Sequence, residues 1–285
     1  MSLSLPAKIA LICFFLFFIF EALVHIIPFL WVLNNSVKTT EEFYESSVAL
    51  TKTWSFSNYK DVFSQFKVKG SVGYLSMFTN SIWQTGVYLF INLLSSFLVA
   101  YAISKYRFPG RGVFFSIMIF TQTIPIIGTG AAAYKLKYAL GMINNPATIW
   151  LSWAMGFDYS AFILYGTFQS VSNSYFESAK IDGANNWQIM FKIMLPLALP
   201  CIAALAVTNF VSMWNNYAVS QITLNKYPNL AYGLYLFQSS GSNYIANPKG
   251  VYFAALVLTA LPGIILYSCF QNLIINNITV GGIKG

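Results

Sequence analysis

Residues 9–33 read IALICFFLFFIFEALVHIIPFLWVL, an apolar run broken only by Glu21, His25 and Pro28. A helix needs about 20 such residues to cross the hydrocarbon core of a bilayer. The run meets that length. It also exceeds the apolar region of a secretory leader, and Pro28-Phe29-Leu30-Trp31 is a poor small-residue cleavage site. It is expected to be a retained first transmembrane span.

Five more runs of similar length follow, at about 80–103, 113–134, 147–168, 197–220 and 251–275. Lipid offers the backbone no hydrogen-bond partners, and none of the runs alternates like a strand of a barrel. Each is therefore expected to be helical. The chain reads as all-α, a polytopic membrane protein with six transmembrane helices in one domain over residues 1–285. Composition agrees: 57% of residues are hydrophobic, 18% aromatic and only 8% charged. An ordinary soluble domain carries about 25% charged residues.

The net charge of +8 comes from basic residues scattered between apolar runs. No basic stripe is present of the kind nucleic acid requires, so nucleic-acid binding is excluded. Lys and Arg near span ends set orientation. The link between the second and third spans holds Lys105, Arg107 and Arg111, which include both arginines of the chain, and is expected to be cytoplasmic. Six spans then place both termini inside. The outer loops would then carry Lys38, Lys52, Lys60, Lys67, Lys69, Lys135, Lys137, Lys226 and Lys249. Glu41, Glu42, Glu45 and Asp61 offset part of that excess on the long outer segment 34–79. That segment also holds Trp54, Phe56, Tyr59, Phe63 and Phe66, which are expected to pack on the outer face.

Cys13, Cys201 and Cys269 all lie within apolar runs, with neither metal-type nor disulfide spacing. No metal site is expected. The sole histidine, His25, lies in a span, which argues against a Ser–His–Asp enzyme. The chain also lacks a G-x-x-x-x-G-K-[ST] loop, so it cannot cradle ATP phosphates by that route.

Between the fourth and fifth spans the chain reads FESAKIDGANNWQIMFKIMLP, residues 176–196. Helical spacing puts Ile189, Ile193 and Pro196 on one stripe, with Met190 and Met194 beside it. Gly183 follows Asp182 as a helix stopping at a glycine would look, and Pro196 suits the first turn of the next helix. The local expectation is helix, sharp bend, helix. The residues alone allow an interfacial amphipathic linker with no special task equally well.

Glu177-Ser178-Ala179, Asp182-Gly183-Ala184, and the ending Ile193, Leu195, Pro196 resemble the EAA loop of binding-protein-dependent ABC importer permeases. Ser178 stands where that pattern has alanine, and Ser172 where a proline is common. The resemblance extends along most of the chain. Asn80-Ser81, Ala100-Tyr101-Ala102, Phe108-Pro109-Gly110-Arg111, Trp54-Ser55-Phe56-Ser57-Asn58-Tyr59, Trp214-Asn215-Asn216 and Gly281-Gly282-Ile283-Lys284-Gly285 are similar to the maltose-type carbohydrate-uptake branch, in its smaller, second permease subunit.

The resemblance implies the type I ABC importer permease fold and a non-catalytic subunit in the cytoplasmic (inner) membrane of a bacterium. It implies that segment 171–196, with Glu177, Ser178, Ala179, Asp182, Gly183, Ala184 and Pro196, docks on a cytoplasmic ATPase. The implied partners are a second homologous permease subunit, two ATPase subunits that use ATP and Mg, and an extracytoplasmic solute-binding protein. This chain itself is expected to hold no cofactor.

Polar groups inside spans are costly and point to function. In the fifth span these are Asn209, Ser212, Asn215 and Asn216, with Trp214 and Tyr217. Amides beside aromatic faces suit a sugar, and interhelical hydrogen bonding accounts for them equally well. Gln122, with Thr121 and Thr123 before a kink at Pro125, forms a second cluster. Glu21 and His25 lie four residues apart on one face, as a structural pair or a proton relay would. The leading expectation is a sugar importer's permease. Another polar solute (a polyol, a glycerophosphodiester, an acidic sugar) keeps the same fold, with Lys135 and Lys137 favouring an anion. A proton-coupled transporter and a scaffold protein are the remaining readings.

Overall fold

The computed structural model describes residues 4–69, 71–124, 128–154, 156–239 and 248–278, the side chains of 272–278 excepted. In chain order it has α1 Leu5–Ser36, α2 Thr40–Glu45, α3 Ser57–Gln65, the antiparallel pair β1 Lys67–Val68 and β2 Val72–Gly73, α4 Tyr74–Lys105, α5 Arg111–Thr123 and α6 Gly130–Ala139. A 3-10 turn Ile149–Trp153 precedes α7 Tyr159–Ser170 and α8 Asn173–Ile181. The short α9, Asn186–Gln188, runs through a π-helical segment Ile189–Met194 into α10 Leu195–Trp214. A second π segment, Val219–Thr223, leads to α11 Leu230–Ser239 and α12 Lys249–Ile278.

Four helices among the described residues are long and apolar enough to cross a membrane: Leu5–Ser36, Tyr74–Lys105, Asn186–Trp214 and Lys249–Gln271. They overlap the expected spans 9–33, 80–103, 197–220 and 251–275. The other two expected spans are each broken. In 113–134, α5 stops at Thr123 and Ile124 turns extended at ψ 115°. The residue before a proline prefers that backbone. Pro125, where a kink was expected, lies outside the described residues. Helix resumes at Gly130, after Gly128 at φ 85°. In 147–168, a 3-10 turn and Gly156 at φ 63° precede α7, whose Asp158 N-cap accepts the Ala161 N–H. The 12 residues of α7 rise about 18 Å, short of a ~30 Å hydrocarbon core.

The fifth span is also displaced. Its helix begins at Asn186 and ends at Trp214 rather than running to 220. Pro196 stands in the first turn of α10, as expected, but helix continues on its N-terminal side through the π segment. A proline there has no N–H to give and crowds the carbonyl four residues back. The wider turn just before it, with the Leu195 N–H reaching the Met190 carbonyl, accommodates this.

The chain forms two compact units, Met1–Leu75 with Gly233–Leu261, and Ser76–Tyr232 with Pro262–Gly285. In the first, side chains at the end of α1 stitch down the loop that follows. Trp31 Nε1 donates to the Ser47 carbonyl at 2.8 Å, and Asn34 Nδ2 to the Ala49 carbonyl at 2.9 Å. Lys38 is fully buried, with its ammonium donating to the carbonyls of Ser46 (2.8 Å) and Ala49 (2.5 Å). Asn58 Nδ2 spans the carbonyls of Ser36 and Lys38. The Glu42 carboxylate accepts the Lys52 N–H and the Thr51 and Thr53 hydroxyls, and the backbone bond above all holds it below the usual carboxylate range. Of the aromatics expected to pack on this segment, Phe66 is buried and stacked on Phe237 at 4.4 Å. Trp54, Phe56 and Phe63 stay exposed, at 68%, 63% and 49%.

The second unit packs α4, α7, α8 and α10 around Phe97, Tyr101, Leu164, Phe168, Ile189 and Met194. Among the described residues α1 presents no buried apolar side chain, as a lipid-exposed helix would.

Candidate functional site

Residues 171–196 form an elbow. Ser172 caps α8 by accepting the Ser174 N–H. The helix ends at Asp182, and Gly183 takes φ 78°. The Gly183 N–H bonds the Lys180 carbonyl at 3.1 Å and the Ala184 N–H the Ala179 carbonyl at 2.9 Å. This is the Schellman closure, in which a glycine supplies the left-handed residue. Asn185 then opens the next helix with a capping box, exchanging bonds with Gln188. The helix, sharp bend, helix arrangement is thus observed.

The elbow has two sides. Ala179 is buried and Ala184 packs against the same cluster, beside Ile189, Met190 and Met194. The small alanines let α8 approach its own unit closely. Glu177, Ser178, Asp182 and Gly183 face outward, as does Pro196, and the exposed side also carries Ile181 at 86% and Trp187 at 67%. The Lys180 ammonium lies 4.6 Å above the Phe176 ring.

Lys105, in sequence only an orientation signal, ties the elbow to α4. Its ammonium donates to the Val171 carbonyl at 2.8 Å and to Asn173 Oδ1 at 3.1 Å. Lys105→Gln is expected to destabilise the folded chain by about 1 kcal/mol. Limited proteolysis would detect it as faster cleavage within 171–185.

The proposed sugar-facing residues do not gather at one place. Asn209 Nδ2 donates to Asn92 Oδ1 (3.2 Å) and Ser160 Oγ (2.9 Å). Asn92 and Ser96 in turn donate to the two oxygens of Asp158, each at 2.8 Å. This polar network joins α4, α7 and α10, the interhelical alternative weighed for Asn209. Asp158 itself was missed, although an acid within an apolar run is the signal that marks such sites. Asp158→Ala would leave the buried Asn92 and Ser96 donors without their acceptor, at a cost of about 2–4 kcal/mol. Asp158→Asn keeps one acceptor oxygen and is expected to recover about half, read as thermal unfolding in detergent.

Trp214 is buried and stacked on Phe210 at 5.2 Å, lining an apolar groove of about 600 Å³ with Phe78, Ile82 and Pro262. Asn215 Nδ2 returns to the Val211 carbonyl, and Asn216 Oδ1 accepts the Val219 N–H. Ser212 and Tyr217 are exposed. Asn216 lines a separate cavity of about 230 Å³ with Tyr134, Lys137, Trp153 and Thr223. Its walls are joined through Asn144, whose N–H bonds the Thr223 carbonyl (2.7 Å) while its Oδ1 accepts the Lys226 N–H (2.8 Å). Gln122 Nε2 and Thr121 Oγ1 reach the Phe157 carbonyl at 3.5 and 3.1 Å, tying α5 to the start of α7.

In α1 the His25 ring bonds the Glu21 backbone carbonyl at 2.7 Å. A carbonyl only accepts, so Nδ1 carries the proton and the contact is intrahelical. The carboxylate–imidazole pair of a proton relay is not formed.

The bent, exposed element is thus rooted in a helical unit whose long helices are apolar enough to cross a membrane. Residues 92–280 match the binding-protein-dependent transport system inner membrane component family, and the chain belongs to that family. It is 31% identical over 260 residues to the diacetylchitobiose uptake system permease protein NgcG of Streptomyces coelicolor, covering 90% of this chain and 83% of that one. It is 29% identical over 274 residues to the arabinooligosaccharides transport system permease protein AraQ of Halalkalibacterium halodurans, covering 94% of each. Its fold is similar to a chain of a bacterial ABC transporter involved in the import of the acidic polysaccharide alginate, with TM-score 0.81, 25% identity, and 95% and 99% of the two chains covered.

Proposed function

We propose that this chain is one permease subunit of an ATP-driven, binding-protein-dependent importer that carries a mono- or oligosaccharide across the cytoplasmic membrane of a bacterium by alternating access. The observation that carries the coupling half of this reading is the elbow, whose αL glycine leaves Glu177 and Asp182 exposed while Ala179 and Ala184 root it in the core. The saccharide half rests on the cargo named for the relatives of this chain.

In this reading a separate ATPase, which binds ATP and Mg, grips the outward side of the elbow, with Glu177 and Asp182 meeting basic groups. Ala179, Ala184, Pro196 and the buried methionines pass the push into the helix that begins at Asn186. Domains of such proteins move as rigid bodies between two states. The partners are a second homologous permease subunit in a heterodimer, two ATPase subunits and an extracytoplasmic binding protein. The chain crosses the bilayer six times with both termini cytoplasmic, the third and fourth crossings being the broken segments.

The test is reconstitution of the full complex in proteoliposomes. Saccharide-loaded binding protein is expected to raise ATP hydrolysis and drive uptake that survives collapse of the proton gradient. Uptake that continues without the ATPase chains would overturn the reading.

A further inference from the structure

We infer that the cavity lined by Tyr134, Lys137, Trp153 and Asn216 receives a saccharide unit bearing a single negative charge, a uronic acid carboxylate being the simplest case. This deepens, and rests on, the reading of the chain as a saccharide importer's permease.

The argument starts with charge. The two stretches that wall the cavity, 128–154 and 215–229, carry Lys135, Lys137 and Lys226 and no Asp or Glu. The nearest acid along the chain, Asp158, has its oxygens engaged by Asn92, Ser96 and the Ala161 N–H. Among the described residues the Lys137 ammonium meets no acceptor, although it is half-buried and burial pushes it below the usual lysine range. A cation partly withdrawn from water without a partner is disfavoured, and an arriving anion offsets that cost.

The remaining lining fits a sugar. Asn216 uses its Oδ1 for the Val219 N–H and its carbonyl for Asn229. Its Nδ2 has no partner among the described residues, so the cavity offers a second donor. Trp153, only 8% exposed, and Tyr134 give aromatic surface for the apolar face of a pyranose. At about 230 Å³ the cavity is smaller than the roughly 300–1,000 Å³ of drug-sized sites, so it holds one ring rather than a chain. A lone ammonium matches one charge.

The experiment uses the whole reconstituted importer and two probes: a trisaccharide ending in a uronic acid, and the same trisaccharide with that carboxyl reduced to the alcohol. Binding protein is identical in every arm, so differences between variants belong to the permease. The acidic probe is expected to half-saturate ATPase stimulation at a concentration about tenfold or more below that of its neutral counterpart. Lys137→Gln is expected to erase that preference, while Lys137→Arg and Lys135→Gln keep it. The inference is overturned if Lys137→Gln weakens both probes equally, which would mark a structural lysine or a contact with the binding protein. It is overturned alone if only the neutral probe stimulates. If neither saccharide stimulates, the saccharide reading falls with it.

Discussion

Gly183→Pro is expected to reduce saccharide-stimulated ATP hydrolysis to under about a tenth, in a complex that still inserts and assembles. Gly183 sits at φ 78°, and proline is locked near −65°. The substitution also deletes the N–H that bonds the Lys180 carbonyl and displaces the bond from Ala184 to Ala179. The elbow must then open, and its exposed face leaves the orientation set by Ala179 and Ala184. Gly183→Ala separates geometry from bulk. No atom lies within 4 Å of the added Cβ, so alanine meets only the strain of a positive φ, about 1 kcal/mol. It should retain most coupling. Full coupling in the proline variant would mean the elbow is not the element an ATPase grips.

The second large effect is structural. At Gly250 a Cβ would fall on the Lys38 carbonyl oxygen and the Asn58 side-chain amide. Neither can move freely, because Asn58 bridges the Ser36 and Lys38 carbonyls and the Lys38 ammonium is fixed by Ser46 and Ala49. Gly250→Val is therefore expected to cost at least ~4 kcal/mol and to open residues 37–58 to protease. Gly73→Ala, in the same unit with nothing within 4 Å of the new Cβ, is expected to behave like the unaltered chain. Equal protease resistance in the two variants would show that the approach of α12 to this loop is not tight.

The long spans were legible because hydropathy over a bilayer's length leaves little choice of structure. The elbow was legible for a different reason: a polar helix end, a glycine and a fresh N-cap are local chemistry, and local chemistry survives in any context. What hydropathy hid were breaks inside apolar runs. Residues 147–168 contain enough Ile, Leu and Trp to average as a span, yet Gly156 and the capping Asp158 divide them. The same averaging concealed Asp158 as the centre of a polar network. Trp214, Asn215 and Asn216 are expected together, with Asn209, Ser212 and Tyr217, because all fall in one apolar run. They stand where α10 ends, so the tryptophan turns into an apolar groove and the second asparagine toward the Lys137 cavity. Side-chain direction at a helix terminus depends on where the last turn closes, which spacing alone does not give.

The π segment Ile189–Met194 takes up one surplus residue between the elbow and the long helix that follows it. A π turn holds one residue more than the α turn it replaces, and each residue of an α-helix spans about 100°. Removing a single residue there and closing an ordinary α turn would leave the elbow at nearly the same angle about the helix axis, whereas removing one from the α-helical stretch beyond it would swing the elbow by about 100°. A related sequence could therefore gain or lose one residue at this wide turn and keep the aim of its elbow.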